Sequence, residues 1–145
     1  MEGTMDMNDY GPQPYVIDIE ELTKENELFR VAKWTGANLQ MTVMAIPAGG
    51  EVGLEVHNDH DQFLRIEEGE AKVVMGPSED NLDQEWAVED DFAIFVPAGT
   101  WHNIINTGDI PLKLYSIYAP GEHAHGTIHN TFAEAEAAEA EHHGA

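Results

Sequence analysis

Four side chains in this 145-residue sequence have types and spacing that could hold a metal ion. His57 and His60 stand three apart in "EVHNDHDQFLRIEEG" (Glu55–Gly69), and Gln62 follows two residues later. His102 lies in "VPAGTWHNIIN", where it follows a Pro-Ala-Gly turn. Imidazole nitrogens with amide or carboxylate oxygens suit divalent first-row ions. The chain has no cysteine, so thiolate sites and disulfides are excluded and any ion must rely on His, carboxylate, amide or water.

Whether these groups converge depends on which faces of their elements they occupy. Side chains alternate along a strand. His57 then shares a face with Glu55 and, by strict alternation, with Asp59. After "NDHD" the chain re-registers and Gln62, Leu64 and Ile66 share a face; His102, Ile104 and Asn106 share another. Alone, each histidine reads as a surface or hydrogen-bonded residue. A barrel that turns His57, Gln62 and His102 inward would bring three donors together.

The elements that could build such a barrel are short apolar runs separated by Gly, Pro, Asn and Asp turns, an all-β pattern. The candidate strands are "YVIDI" (Tyr15–Ile19), "LFRVAKW", "LQMTVMAI", "VGLEVH", "QFLRIE", "EAKVVMG", "EWAVE", "DFAIFVP", "WHNIIN" and "LKLYSIYAP", with a short helical turn at "EELTKEN". Such a series suggests a sandwich or small barrel. Residues 1–14 read as a flexible tail, 15–126 as the barrel and 127–145 as an extension, helical from about 132. That helix is rich in Ala and Glu. Thr131 and Glu134 have capping-box spacing, His142 and His143 suit its C-terminal dipole, and Phe132 is its one large anchor, so fraying is expected.

Net charge is -22, from six Lys and Arg against 28 Asp and Glu. Such a surface repels nucleic acid and anionic membrane. It keeps the protein soluble, and a saline habitat would select the same balance. An anionic substrate would need local cations, for which only Lys24, Arg30, Lys33, Arg65, Lys72 and Lys113 are available. No apolar run is long enough to span a bilayer. The acidic N-terminus lacks the apolar core of a secretory signal, which makes the cytoplasm the expected location.

"GLEVHNDHDQFLRIEEGEAKVVMG" resembles the first motif of the cupin superfamily: a glycine, a His pair, a Glu-type ligand and a later glycine. "DFAIFVPAGTWHNIIN" resembles the second, P-x-G-x-x-H-x-x-x-N, through Pro97, Gly99, His102 and Asn106. The resemblance covers Leu39 to Ala119. More narrowly, "DQF-x-RIEEG", "VPAGTWHN", "LKLYSIYAP" and "HGT-x-H" are similar to small single-domain cupins described as mannose-6-phosphate-isomerase-like. It implies an all-β, RmlC-like jelly-roll barrel (a double-stranded β-helix) with a short C-terminal helix, a bound divalent ion and a homodimer. Mn(II) or Fe(II) is the first choice of ion; Ni(II), Zn(II) and Co(II) suit the same donors.

Metal cupins mostly use H-x-H, then a glutamate, then the His of the second motif. Here His57 fits the first His, Asp59 stands two residues on, His60 follows, and Gln62 occupies the glutamate position. A neutral amide leaves more net positive charge on the ion and binds it less tightly. Asp59 or His60 completes the set: alternation favours Asp59, softness favours His60. Glu55 is either a proton-transfer or supporting carboxylate or a buried partner of Arg or Lys. His123, His125 and His129 in "GEHAHGTIH" could close over the barrel mouth as a lid or stay solvated. Tyr115 and Tyr118 lie three apart, so at most one of them faces inward. The implied function is a metalloenzyme (oxygenase, isomerase, decarboxylase or lyase) acting on a small sugar- or carboxylate-like molecule; the alternative is a non-catalytic binder of a small molecule or metal.

Overall fold

The computed structural model describes residues 6–144, with side chains through residue 138. His142 and His143, read above as C-terminal cations, therefore have side chains outside the described set. Nine strands form two antiparallel sheets among the described residues. They are β1 (Arg30–Thr35), β2 (Gln40–Ile46), β3 (Asp61–Glu68), β4 (Ala71–Gly76), β5 (Gln84–Val88), β6 (Ala93–Val96), β7 (Trp101–Asn106), β8 (Leu112–Ala119) and β9 (Ile128–His129). The larger sheet runs β6-β3-β8-β2-β1-β9 and the smaller β5-β4-β7. This is the jelly-roll barrel that the sequence implies.

The large sheet separates two cores, and strand alternation assigns residues to them. Facing the barrel interior are Met44, Ile46, Leu64, Ile66, Leu112 and Leu114, packed against Val73 and Ile104 of the small sheet. On the outer face, Val31, Met41, Val43 and Tyr115 pack under Leu22 of α1 (Ile19–Glu25). Asp18 caps α1 by accepting the Glu21 amide at 3.1 Å. The segment Tyr15–Ile19, expected to be a strand, is a correction: it is unpaired, Val16 is 97% exposed, and the chain enters α1 at Ile19. An Asx cap three residues before Glu21 outweighed a short β-prone run.

"VGLEVH" also departs from the expected strand. It and the preceding Glu51 make two isolated bridges to β7, Glu51 with Ile105 and Glu55 with His102. Between them Gly53 has φ +114°, which breaks a regular ladder. A Cβ there would stand 3.2 Å from the Phe132 ring. Phe132 opens α2 (Phe132–Gly144) and packs edge-on against Phe29 at 5.7 Å. The Thr131 hydroxyl accepts the Glu134 amide, while the Glu134 carboxylate accepts the Asn130 amide, a capping arrangement close to the one the spacing suggested. Strand β9, which the sequence reading did not anticipate, adds residues 128–129 to the edge of β1.

At the other end, the Asp9 carboxylate accepts from Thr35 Oγ1 and the Gly126 amide, and Lys33 Nζ donates to the Asp6 carbonyl. These bonds lay residues 6–14 along β1.

Candidate metal centre

The two motif segments are stitched to each other by backbone. Glu55 and His102 exchange both amide hydrogen bonds, at 3.0 and 2.9 Å. The turn before His102 is held from the other side: the Gly99 amide donates to the His57 carbonyl at 2.8 Å, and the Ala98 amide to Asp61 Oδ1 at 2.9 Å. Gly99 adopts φ +82°, which a residue with a side chain would resist. Asn106 donates to the Ile46 and Ile110 carbonyls and accepts the Gly108 amide, so the last position of the second motif secures the next turn.

This framework brings Glu55, His57 and His102 together, one ligand atom of each lying within 4.8 Å of the others. His57 Nε2 lies 3.2 Å from Glu55 Oε1, and the two imidazole centroids are 5.5 Å apart. His102 Nδ1 donates to the Thr100 carbonyl at 3.0 Å, which fixes the ring and leaves Nε2 as the lone-pair nitrogen. That Nε2 is buried without a hydrogen-bond partner among the described residues, and so is Gln62 Oε1. The Gln62 amide is oriented by Nε2, which donates to Ser116 Oγ at 2.8 Å. Gln62 pairs in register with Tyr118, whose buried ring stands edge-on to His57 at 5.8 Å.

Of the two residues competing for the remaining place, Asp59 is exposed and His60 turns inward. A bend at residues 58–59 breaks the alternation that favoured Asp59. The His60 ring stacks on His57 at 4.9 Å, and its Nε2 lies 3.1 Å from Glu122 Oε1 without hydrogen-bond alignment. His57, His60 and Glu122 form a second group of candidate ligand atoms, with His57 Nδ1 3.6 Å from Glu122 Oε1.

Residues 122–129 cross the barrel mouth. His123 rests edge-on against Tyr118 at 5.2 Å, and His129 accompanies Arg30, whose Nη1 lies 3.1 Å from His129 Nδ1. His125 points elsewhere: it is exposed and bonds the Gly11 carbonyl at 2.8 Å. Gln40 anchors this segment, accepting the His123 and Glu122 amides and donating to the His123 carbonyl.

The protonation states suit cation binding. Burial opposes ionisation of Glu55, but the His57 hydrogen bond, Arg30 and the neighbouring imidazoles outweigh it and hold the carboxyl at about 2. Burial pushes His102 and His60 down and His123 to about 3, so these rings are neutral at pH 7. Burial also pushes the Tyr118 phenol up to about 12, so it keeps its proton.

Arg30, Tyr118 and Glu122 were not assigned to the site from the sequence. Tyr118 could have been placed by phase with Leu114 and Ser116, which share its face. Arg30 carried a signal too, since Val31 and Lys33 fix the opposite face of β1. Glu122 carried none, because its position depends on how the chain crosses the mouth after β8.

A family model described as "Cupin domain" matches residues 42–118. Uncharacterized protein YrkC of Bacillus subtilis (strain 168) is 56% identical over 133 residues, covering 92% of this chain and 72% of that protein. Uncharacterized protein L612 of Acanthamoeba polyphaga mimivirus is 37% identical over 117 residues, covering 80% and 71%. Among solved structures, BH2720 from Bacillus halodurans superposes with a TM-score of 0.89 at 57% identity, covering 90% of this chain and 98% of that one.

Proposed function

The chain belongs to the cupin family, and we propose on that footing that it is a metal-dependent enzyme acting on a small oxygenated molecule. Glu55, His57, Gln62 and His102 would hold a divalent ion, Mn(II) or Fe(II) by donor chemistry. The observation that carries this reading is the pair of buried atoms without partners, His102 Nε2 and Gln62 Oε1, beside Glu55 and His57. A buried polar atom left unpaired costs roughly 1–3 kcal/mol, and a cation would remove that cost at two atoms together. In this reading Glu55 and His57 fill the places of the H-x-H pair.

When bound, such an ion supplies Lewis-acid or redox chemistry. The protein residues around it have separable roles. The Gln62 amide leaves the site more positive than a glutamate would. Glu122, facing His57 Nδ1 and His60, orients the ligand ring from the side away from Glu55. Tyr118, kept protonated by burial, can donate a hydrogen bond within the mouth. His123 and His129 shield the site from bulk water.

Metal analysis of protein purified without nickel chromatography tests the proposal. One divalent ion per chain is expected, and its loss in both His57→Ala and His102→Ala. No stoichiometric metal on reconstitution with Mn(II) or Fe(II) would overturn it. We also propose a homodimer, supported by Trp86, Phe92 and Phe95, which are 43%, 44% and 70% exposed beside edge strands β5 and β6 of an otherwise acidic protein. A monomer in sedimentation equilibrium would refute that part alone.

A further inference from the structure

Five buried side-chain atoms lack a hydrogen-bond partner among the described residues: Arg30 Nε, Thr42 Oγ1, His60 Nε2, Gln62 Oε1 and His102 Nε2. The proposed metal accounts for two of them. His60 Nε2 has Glu122 Oε1 at 3.1 Å. Arg30 and Thr42 are left, and they are neighbours. Ala32 pairs with Thr42 and Arg30 with Met44, so Arg30 and Thr42 are diagonal positions on the same inner face of β1 and β2.

Arg30 is unusual for this molecule. The chain has six Lys and Arg residues against 28 acids. Lys24 pairs with Glu20, Arg65 with Glu67 and Asp91, while Lys33 and Lys113 donate to the Asp6 and Asn26 carbonyls. Lys72 alternates with Ala71 and Val73, which face the core, and so points outward. Arg30 is the cation that faces the barrel interior, at 2% exposure. Its guanidinium has five N–H donors. Nη1 reaches His129, Nη2 stands 4.0 Å from Glu55 Oε2, and Nε has no partner. A charge this deep is costly unless it is paired, and the Glu55 carboxylate it faces is shared with His57.

We propose that Arg30 and Thr42 form an anion subsite at the barrel mouth, and that the substrate is a small carboxylate whose carboxyl group is held there. The planar guanidinium presents adjacent N–H donors that match the two oxygens of a carboxylate, and the Thr42 hydroxyl can donate a further bond. The cation offsets the repulsion that a net charge of -22 imposes on an approaching anion. This rests on the metal reading in one respect, that the rest of the substrate points toward Glu55, His57 and His102.

Calorimetric titration with glycolate and its neutral counterpart glycolamide, on metal-free and on Mn(II)-loaded protein, tests the subsite. Wild type is expected to bind glycolate at least tenfold more tightly than glycolamide in both forms. Arg30→Met should abolish that preference and Thr42→Val should weaken glycolate severalfold, each with Mn(II) stoichiometry unchanged. If Arg30→Met does not fold, Thr42→Val and Arg30→Lys carry the test, the lysine keeping the charge without the paired donors. Equal affinity for the two ligands in wild type, or a preference undiminished by these substitutions, overturns the proposal. Intact Mn(II) uptake without a glycolate preference defeats the subsite alone; a glycolate preference without Mn(II) uptake defeats the metal reading alone.

Discussion

The two halves of the barrel interior are built from the same strands and have opposite chemistry. At the closed end, Met44, Ile46, Leu64, Ile66, Leu112 and Leu114 form a continuous apolar core. One or two steps along the same inner faces, at the mouth, stand Gln40, Thr42, Gln62, Ser116 and Tyr118, all buried. The closed end gains stability from burial, at about 25 cal/mol per Å² of apolar surface. The mouth surrounds polar atoms with protein and leaves several of them unpaired, which costs stability in the metal-free chain. The difference teaches that a single alternating pattern can build both a folding core and a site. What separates them is whether every polar atom is satisfied.

The largest effect expected on that division is at the closed end. Leu114 is fully buried at the centre of the apolar cluster. Leu114→Ala should cost about 2–5 kcal/mol in denaturant unfolding, as for other buried leucines, while metal stoichiometry at the mouth stays at the wild-type value. If the substitution abolished metal uptake in a folded protein, the two halves would not be separable.

The converse holds at the mouth. A ligand at a hundredfold excess over its dissociation constant stabilises a protein by about 2.7 kcal/mol. Wild type should show that metal-dependent gain. His102→Ala should lose it, over and above the metal-independent cost of a buried ring removed and of its Nδ1 bond to the Thr100 carbonyl. A gain of equal size in the variant would show that the ion sits elsewhere.

Asn106 sharpens the contrast within a single motif. It lies four residues from His102 on the same strand face, and three hydrogen bonds satisfy its amide. Asn106→Ala should cost about 1–3 kcal/mol from the backbone groups left unpaired, with metal affinity retained in the folded fraction. Comparable metal loss in Asn106→Ala and His102→Ala would erase the distinction between support and ligand.

How much of this was legible in the sequence follows from range. Alternation placed Gln62, Leu64 and Ile66 on one face, and His102, Ile104 and Asn106 on another, because local strand geometry suffices for both. The bend at residues 58–59 defeated the same rule two residues beyond His57, since it depends on contacts with the turn at Ala98 and Gly99. Arg65, one of the six cations available to an anionic substrate, instead meets Glu67 and Asp91. Glu122 and the approach of Arg30 to Glu55 depend on where residues 122–129 and β1 meet in space, and no local pattern encodes that. Tyr15–Ile19 misled because β-propensity ignores whether a neighbouring strand edge exists.

The smallest effect expected is a slope in pH. In the metal-free protein, burial, helped by Arg30, lowers His123 to about 3 from an ordinary value of 6.5. The unfolded chain therefore binds a proton at this ring before the folded chain does. The stability this contributes is fully present above pH 6.5 and declines as pH falls toward 3. Over the first unit below 6.5 a single such group contributes at most about 1.4 kcal/mol. Lowered His60 and His102 add to the slope in the same direction. His123→Gln keeps a polar side chain of similar reach and removes the titration, so its unfolding free energy should fall less steeply than wild type between pH 6.5 and 5.5. Leu114→Ala should leave the slope unchanged, because the closed end contains no titrating group. If both variants parallel wild type, the acid sensitivity originates outside the mouth, and the contrast between the two halves does not extend to protons.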